Sequence, residues 1–305
     1  MLRKVQSSRS SAFSGQEGSG KGEESDHADI VMSVNSQTDS LVNLARLYIR
    51  HRQLTWEMIK RDITDRYAGQ IFGSSWAIGH PLILMAIYTF VFTFIFSSRM
   101  GSQTDFPLDY TTYLLSGLIP WMAFQESMNR GATAILANAN LVKQVVFPLE
   151  ILPVKGIFSS LLTQGVATLF LMTYVMIRYG HLPWTYSLLP LLICFQFFAM
   201  TGVCYILAAV GSYFRDLKDI VQVFCIACLY GIPVFYLPNW VPGWFKPIFY
   251  LNPFSYMVWC FQDACYFGRF EPPFAWPVFF SLSFLSLFFG NRIFRKLKTY
   301  FGSIL

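Results

Sequence analysis

Charge is scarce in this 305-residue chain: Asp, Glu, Lys and Arg together make up 13%, against 54% hydrophobic residues and a mean hydropathy of +0.43. A water-soluble domain carries about 25% charged residues, so this chain could not cover its surface in water. Ionisable residues are rarer still inside the apolar stretches, and no series of buried acids or histidines runs through them. That leaves a proton relay without its parts. Cysteine numbers only six and histidine four, with no metal-ligand spacing. Cys225 and Cys228 match CxxC but stand inside an apolar stretch with no redox frame, and Cys194 and Cys204 read as small buried hydrophobes. Cys260 and Cys265 are separated in a way that disfavours a bridge on a helix. No apolar h-region occurs in residues 1–38, so a cleaved signal peptide is not expected and the first apolar span is the targeting signal. A nucleotide loop is missing too. Gly15 to Gly20 with Lys21 fits GxxxxGK, but Gly22 stands where a Ser or Thr should hold magnesium, and the strand and helix that frame such a loop are absent.

What the chain has in excess is apolar and aromatic length. Six stretches, at about 76–96, 110–132, 149–177, 186–213, 219–236 and 274–293, are each long enough to cross a bilayer, which needs about 20 apolar residues per helix. An all-α integral membrane protein of six transmembrane helices is the expected fold, because hydrocarbon leaves no backbone group unpaired. The net charge of +6 does not point to nucleic acid, since the basic residues are scattered at helix ends rather than gathered in a stripe. They sort by side instead. With a cytoplasmic N-terminus, Lys60, Arg61, Arg66, Arg130, Lys143, Lys155, Arg215, Lys218 and the 292–298 cluster lie inside, and only Arg99, Arg178, Lys246 and Arg269 lie outside. Both termini are therefore expected in the cytoplasm.

Four regions follow. Residues 1–38, rich in Ser and Gly and poor in aromatics, read as a disordered cytoplasmic tail. Residues 39–75 read as interfacial helices: Asp39 or Ser40 caps a helix from Leu41, and Trp56, Ile59, Ile63, Tyr67 and Ile71 recur on one face with the charged residues off it. Lys60, Arg61 and Arg66 are candidates to meet lipid headgroups or a lipid linker, at about 1 kcal/mol each near an anionic surface. A plain connecting helix anchored by Trp56 is the alternative. Residues 76–293 form the transmembrane domain and 294–305 a basic tail. Within the former, Pro238, Pro242, Pro247 and Pro253 interrupt an aromatic run over 237–270, so two short helices re-entering the outer leaflet are expected there.

Several motifs in order carry a resemblance. Arg61, Asp62, Arg66, Tyr67, Gly69, Gly73, Trp76 and Pro81 lead into the first span. GLIPW at 117–121, NANLVK at 138–143, FPLEILP at 147–153, FRDLKDI at 214–220 and LNPF at 251–254 then follow. From about residue 41 to 300 the chain resembles the permease of a type-2 ABC transporter that exports polysaccharide: O-antigen, capsule or teichoic acid. The Ser/Gly-rich tail falls outside the resemblance. It implies a homodimer in the bacterial inner membrane docked on two separate ATPase subunits, which bind the ATP and magnesium, with a lipid-linked polysaccharide as cargo. It implies no cofactor, metal or catalytic residue in this chain.

The resemblance places ATPase coupling in the cytoplasmic loops. Asn138, Asn140, Leu141, Val142 and Lys143 suit a short coupling helix ending before Pro148, and Arg215 and Asp216 in the 215–219 turn are a second contact or simply a solvated turn. It also makes the Pro-broken segment an outer gate, with Trp240, Trp244, Phe245, Tyr250 and Tyr256 as lining. Tyr88, Phe92, Phe96, Tyr230, Phe235 and Tyr236 are candidates as a set to line the glycan path, since ring faces take sugar C–H patches without reading sequence; for any one of them singly, packed core or a lipid-facing position is the stronger reading. Glu126 and Arg130, four apart, form an intramembrane charge pair or neutralise one another. Two other classes stand beside this reading. A secondary carrier or lipid flippase would show inverted repeats and buried ionisable groups, and a membrane-embedded transferase would need acids beside His80, which precedes Pro81 without any.

Overall fold

In the computed structural model the described residues are 44, 46–66, 68–96, 108–144, 148–237, 241–299 and 301, without the side chains of 95, 96 and 142–144. The 1–38 tail, its GxxxxGK run and the cap expected at Asp39 or Ser40 lie outside them. Two units are distinguished, divided after His51. Of the first, residues 46–50 are helical, and the His51 N–H reaches the Leu47 carbonyl at 2.9 Å. The second is an all-helical bundle.

It opens with α1 (Arg52–Arg66), then a 3-10 turn at Gly73–Ser75 and α2 (Trp76–Phe90), which widens into a π turn over Val91–Phe96. Asp109 caps α3 (Tyr110–Thr133), its Oδ1 accepting the Thr112 N–H at 3.3 Å. The short α4 (Ala139–Gln144) precedes α5 (Ile151–Tyr179), which stops at Gly180, where φ is +73° and a side chain would be strained. After a 3-10 turn at Trp184–Leu188 come α6 (Leu189–Gly211) and α7 (Leu217–Tyr230). The Pro-rich run forms α8 (Lys246–Leu251) and α9 (Pro253–Gln262), with Asn252 capping α9 and a π turn at Asp263–Phe267 closing it. The last helix is α10 (Ala275–Lys298).

Helix α3 is the axis of the bundle: most of its side chains are buried, and α5, α6, α7 and α9 pack around it. One of the closest approaches is between α6 and α10. A Cβ on Gly202 would lie 2.1 Å from the Ser286 carbonyl carbon, and one on Gly290 would lie 2.2 Å from the Gly202 carbonyl oxygen. Only glycine permits that contact, and where lipid supplies no hydrophobic drive between helices such close packing is what holds them together. Helices α2 and α7 sit at the periphery with large apolar faces exposed, among them Ile78, Ile87, Phe90, Ile220, Val223 and Tyr230.

Among the described residues, four helical stretches are long and apolar enough to cross a membrane: Gly73–Phe94, Ile151–Tyr179, Trp184–Gly211 and Ala275–Lys298. The other two expected crossings show why they differ. Helix α3 has 24 residues, but Glu126, Arg130 and several hydroxyl groups dilute its apolarity. Helix α7 has 14 residues, about 21 Å at 1.5 Å each, because Gly231 and Pro233 end it before the expected Tyr236.

The face of α1 also differs from expectation. Thr55 and Ile59 are buried, while Trp56 is 64% exposed and Ile71 lies beyond the helix end. Thr55, Ile59, Asp62 and Arg66, spaced four, three and four, make the inward stripe. The two charged residues placed off the apolar face are therefore on the face that meets the bundle.

Candidate functional site

At the end of the bundle where α3 finishes and α5 begins, three cations meet two carboxylates. Arg130 Nη1 binds Asp62 Oδ2 at 2.6 Å, and its Nε meets Glu126 Oε1 at 3.2 Å. Arg66 Nη1 holds the same Glu126 oxygen at 2.7 Å, and Lys155 Nζ lies 3.6 Å from Asp62 Oδ1. Lys155 also donates to Asn138 Oδ1 at 3.2 Å, and the Asn138 amide is fixed by donating to the Ala134 carbonyl at 2.7 Å. The side chains are 17–30% exposed. Removing one partner falls between the under about 1 kcal/mol of a surface pair and the roughly 3–5 kcal/mol of a fully buried one. At the same end Lys298 Nζ binds both oxygens of the buried Glu150 at 2.9 and 3.0 Å, tying the end of α10 to the start of α5.

Above this cluster lies a cavity of about 480 Å³ between α2, α3 and α5. Arg66, Glu126, Asn129 and Arg130 line it at the charged end; Leu84, Met85, Met122 and Ala167 form its apolar wall. Beside it, Gln164 Nε2 donates to Gln196 Oε1 at 2.8 Å and Gln196 Nε2 to the Pro120 carbonyl at 3.0 Å, so three helices share one buried amide chain.

The opposite end is held by tyrosines. Where α7 breaks, its carbonyls are captured from neighbouring helices: Tyr110 Oη donates to Phe235 O at 2.7 Å, and Tyr113 Oη lies 3.0 Å from Pro233 O and 3.1 Å from Tyr236 O. Gln262 Nε2 of α9 adds a bond to Pro233 O at 2.7 Å. Asp109, besides capping α3, accepts from Tyr174 of α5, while its backbone N–H donates to Tyr179 Oη at 2.7 Å. Asp263, buried in the π turn after α9, accepts from Trp276 Nε1 at 2.9 Å and from the Glu271 N–H at 3.2 Å. Burial outweighs those two donors and pushes its carboxyl up to about 7, with Glu271 adding in the same direction.

The residues singled out from the sequence fall into separate places. Arg66, Glu126, Arg130 and Asn138 share the charged cluster, in which Arg66 faces Glu126 rather than outward. Lys60, Arg61, Asn140, Arg215 and Asp216 are exposed, and Leu141 is half-buried. Tyr230 stacks on Phe235, which touches Tyr236, and Phe92 packs on Tyr110, so these rings gather near the α7 break. Tyr88 is half-buried on α2. Trp244 packs on Phe245, while Tyr256 donates to the Tyr250 carbonyl at 2.7 Å in a second group with Trp259 and Phe274. The side chains of Val142, Lys143 and Phe96 and all of Trp240 lie outside the described residues. Cys225 and Cys228 are buried on the inner face of α7 and Cys204 is buried on α6, whereas Cys194, expected to be buried, is exposed; all six cysteines are free thiols.

Asp62, Lys155, Asp109, Tyr113 and Asp263 are the participants that sequence reading missed. Asp62 and Arg66 at four-residue spacing, matched to Glu126 and Arg130 at the same spacing, were the available signal. Asp263 and Tyr113 had none, because their partners are remote in sequence.

Apolar helices of spanning length around a buried axis, with charge gathered at one end and tyrosine at the other, define a multi-pass membrane protein whose polar groups cluster near its ends. The model of the ABC-2 type transporter family matches residues 53–266, and the chain belongs to that family. Among its relatives is an O-antigen export system permease protein, RfbA, of Klebsiella pneumoniae, 28% identical over 249 residues that cover 80% of this chain and 92% of that one. RfbA of Myxococcus xanthus is 30% identical over 197 residues, 64% and 73% of the two chains. The polysialic acid transport protein KpsM of Escherichia coli is 24% identical over 266 residues, 83% and 96%.

Proposed function

We propose that this chain is the transmembrane permease subunit of an ATP-driven exporter that moves a lipid-linked polysaccharide, such as O-antigen or capsule, from the cytoplasm across the bacterial inner membrane. Two copies pair, and each docks on a separate ATPase subunit that binds ATP and magnesium. The observation that carries this reading is the end-to-end similarity to transporters named for O-antigen export and polysialic acid transport, over 92% and 96% of their lengths. In this reading α2, α3, α5, α6, α7 with its broken end, and α10 are six crossings, and the Lys and Arg distribution puts the charged cluster and both termini in the cytoplasm. Residues 138–143 then lie where a cytoplasmic ATPase would touch them, and the 237–270 segment faces outward as a gate. Aromatic rings near the α7 break offer weak, repeated stacking to a sliding glycan.

Co-expression with an ATPase subunit followed by mass determination tests this. A complex of two permeases and two ATPases is expected, with N140A/L141D losing ATPase binding or ATP-linked export. An active transporter purified without any ATPase would overturn the proposal and favour a secondary carrier.

A further inference from the structure

Helix α1 is joined to the bundle in an unusual way. Of its side chains only Thr55 and Ile59 are buried, so apolar packing contributes little, and the ion pairs of Asp62 and Arg66 supply much of its hold. Its link to α2 contains Gly69 at φ +79° and Gly73 at φ +50°, with no atom near enough to either to crowd a side chain. Left-handed glycines interrupt helix continuity, so α1 is a rod on a jointed arm, held in place by polar contacts. Apolar packing resists sliding, whereas ion pairs at a wet boundary exchange partners readily.

The cluster that holds α1 also reaches the loop after α3. A continuous path runs from Asn138 through Lys155, Asp62, Arg130 and Glu126 to Arg66, with links of 3.2, 3.6, 2.6, 3.2 and 2.7 Å. The longest link, between Lys155 and Asp62, is where a displacement of Asn138 would first be felt. The same Arg66, Glu126 and Arg130 line the cavity between α2, α3 and α5, so a swing of α1 would remake the charged end of that cavity.

We infer that Asp62, Arg130 and Lys155 form a coupling latch, through which movement of the 136–141 loop repositions α1 and the mouth of the cavity during each transport cycle. This rests on the proposed ATPase docking at that loop. These are positioning residues: none is assigned a contact with cargo or nucleotide.

The test compares D62R, R130D and K155Q, each co-expressed with the ATPase. ATP hydrolysis is measured on the purified complex in proteoliposomes. Export is measured as surface glycan in a deletion strain of the native host, by periodate–hydrazide labelling. The latch predicts that D62R, R130D and K155Q keep ATPase binding and hydrolysis within about twofold of wild type but lower export per ATP at least tenfold. Wild-type export per ATP in D62R or K155Q, or a parallel fall in hydrolysis and export, would each overturn the latch. Should D62R fail to fold, K155Q decides by the same ratio, since it spares the Asp62–Arg130 pair. A wild-type chain that does not bind the ATPase at all overturns the proposed function instead, so the two failures are distinct.

Discussion

Asp263 shows how one side chain can oppose its own environment. Two N–H donors favour its charged form, yet burial dominates and its carboxyl is pushed up to about 7. Because the folded protein holds this proton to higher pH than the unfolded chain, stability from Asp263 is full below about pH 4 and is lost as pH rises through about 7. Thermal unfolding followed by Trp fluorescence should give a lower Tm at about pH 8 than at about pH 5.5, and D263N should flatten that dependence. An unchanged slope in D263N would assign the titration elsewhere. Tyr113 gives a second residue-scale expectation. Its hydroxyl is shared between two carbonyls at the α7 break; Pro233 O keeps the Gln262 amide, so Y113F leaves the Tyr236 carbonyl short of this donor and should cost about 1–3 kcal/mol. Neither role was legible in the sequence, where Asp263 and Tyr113 were one acid and one ring among many; Glu271 and Trp276 lie 8 and 13 positions from Asp263, and Pro233 lies 120 from Tyr113.

Among the elements, the crossing of α6 and α10 depends sharply on side-chain size. Adding a methyl group at Gly202 or Gly290 drives it into backbone atoms, which cannot step aside as a flexible side chain can. G202A and G290A should each destabilise by about 1–3 kcal/mol, measured as loss of Tm in detergent. G165A on α5, where nothing lies within 4 Å, is the control and should be neutral or slightly stabilising. Equal effects at all three positions would show that helix propensity, not the crossing, governs. At this scale the sequence was informative: hydropathy located the long apolar helices and the broken 237–270 run. Its failure on α1 has a physical cause. Apolar spacing identified Trp56, Ile59 and Ile63 as one face, but Asp62 and Arg66 pair with Arg130 and Glu126 while Trp56 stays 64% exposed, an orientation set by partners remote in sequence that no local spacing records.

For the whole molecule, the exposed apolar faces of α2 and α7 need a cover of lipid or a second copy. The proposed pairing of two copies needs such a face, and the exposed side of α7 is tested as that face. In a C194S background, which removes the exposed native thiol, V223C should form a disulfide-linked species of twice the 35.0 kDa mass when oxidised in membranes. A chain that stays single under those conditions would leave that face to lipid and move the pairing to another helix.

Composition and hydropathy alone determine that this chain belongs in a membrane as helices, because hydrocarbon admits few unpaired charges or backbone groups and the chain has the apolar runs to satisfy it. Ordered motifs extend that to a transporter family. Which charges meet is a different matter. Asp62, Arg130 and Lys155 are separated by more than a full helix in sequence, and their union depends on how α1, α3 and α5 cross. Crossing geometry comes from packing of small and large side chains across helices, which no local period records. The tertiary structure therefore decides where the polar groups work, and it turns a scatter of basic residues at helix ends into a connected path from the 136–141 loop to α1.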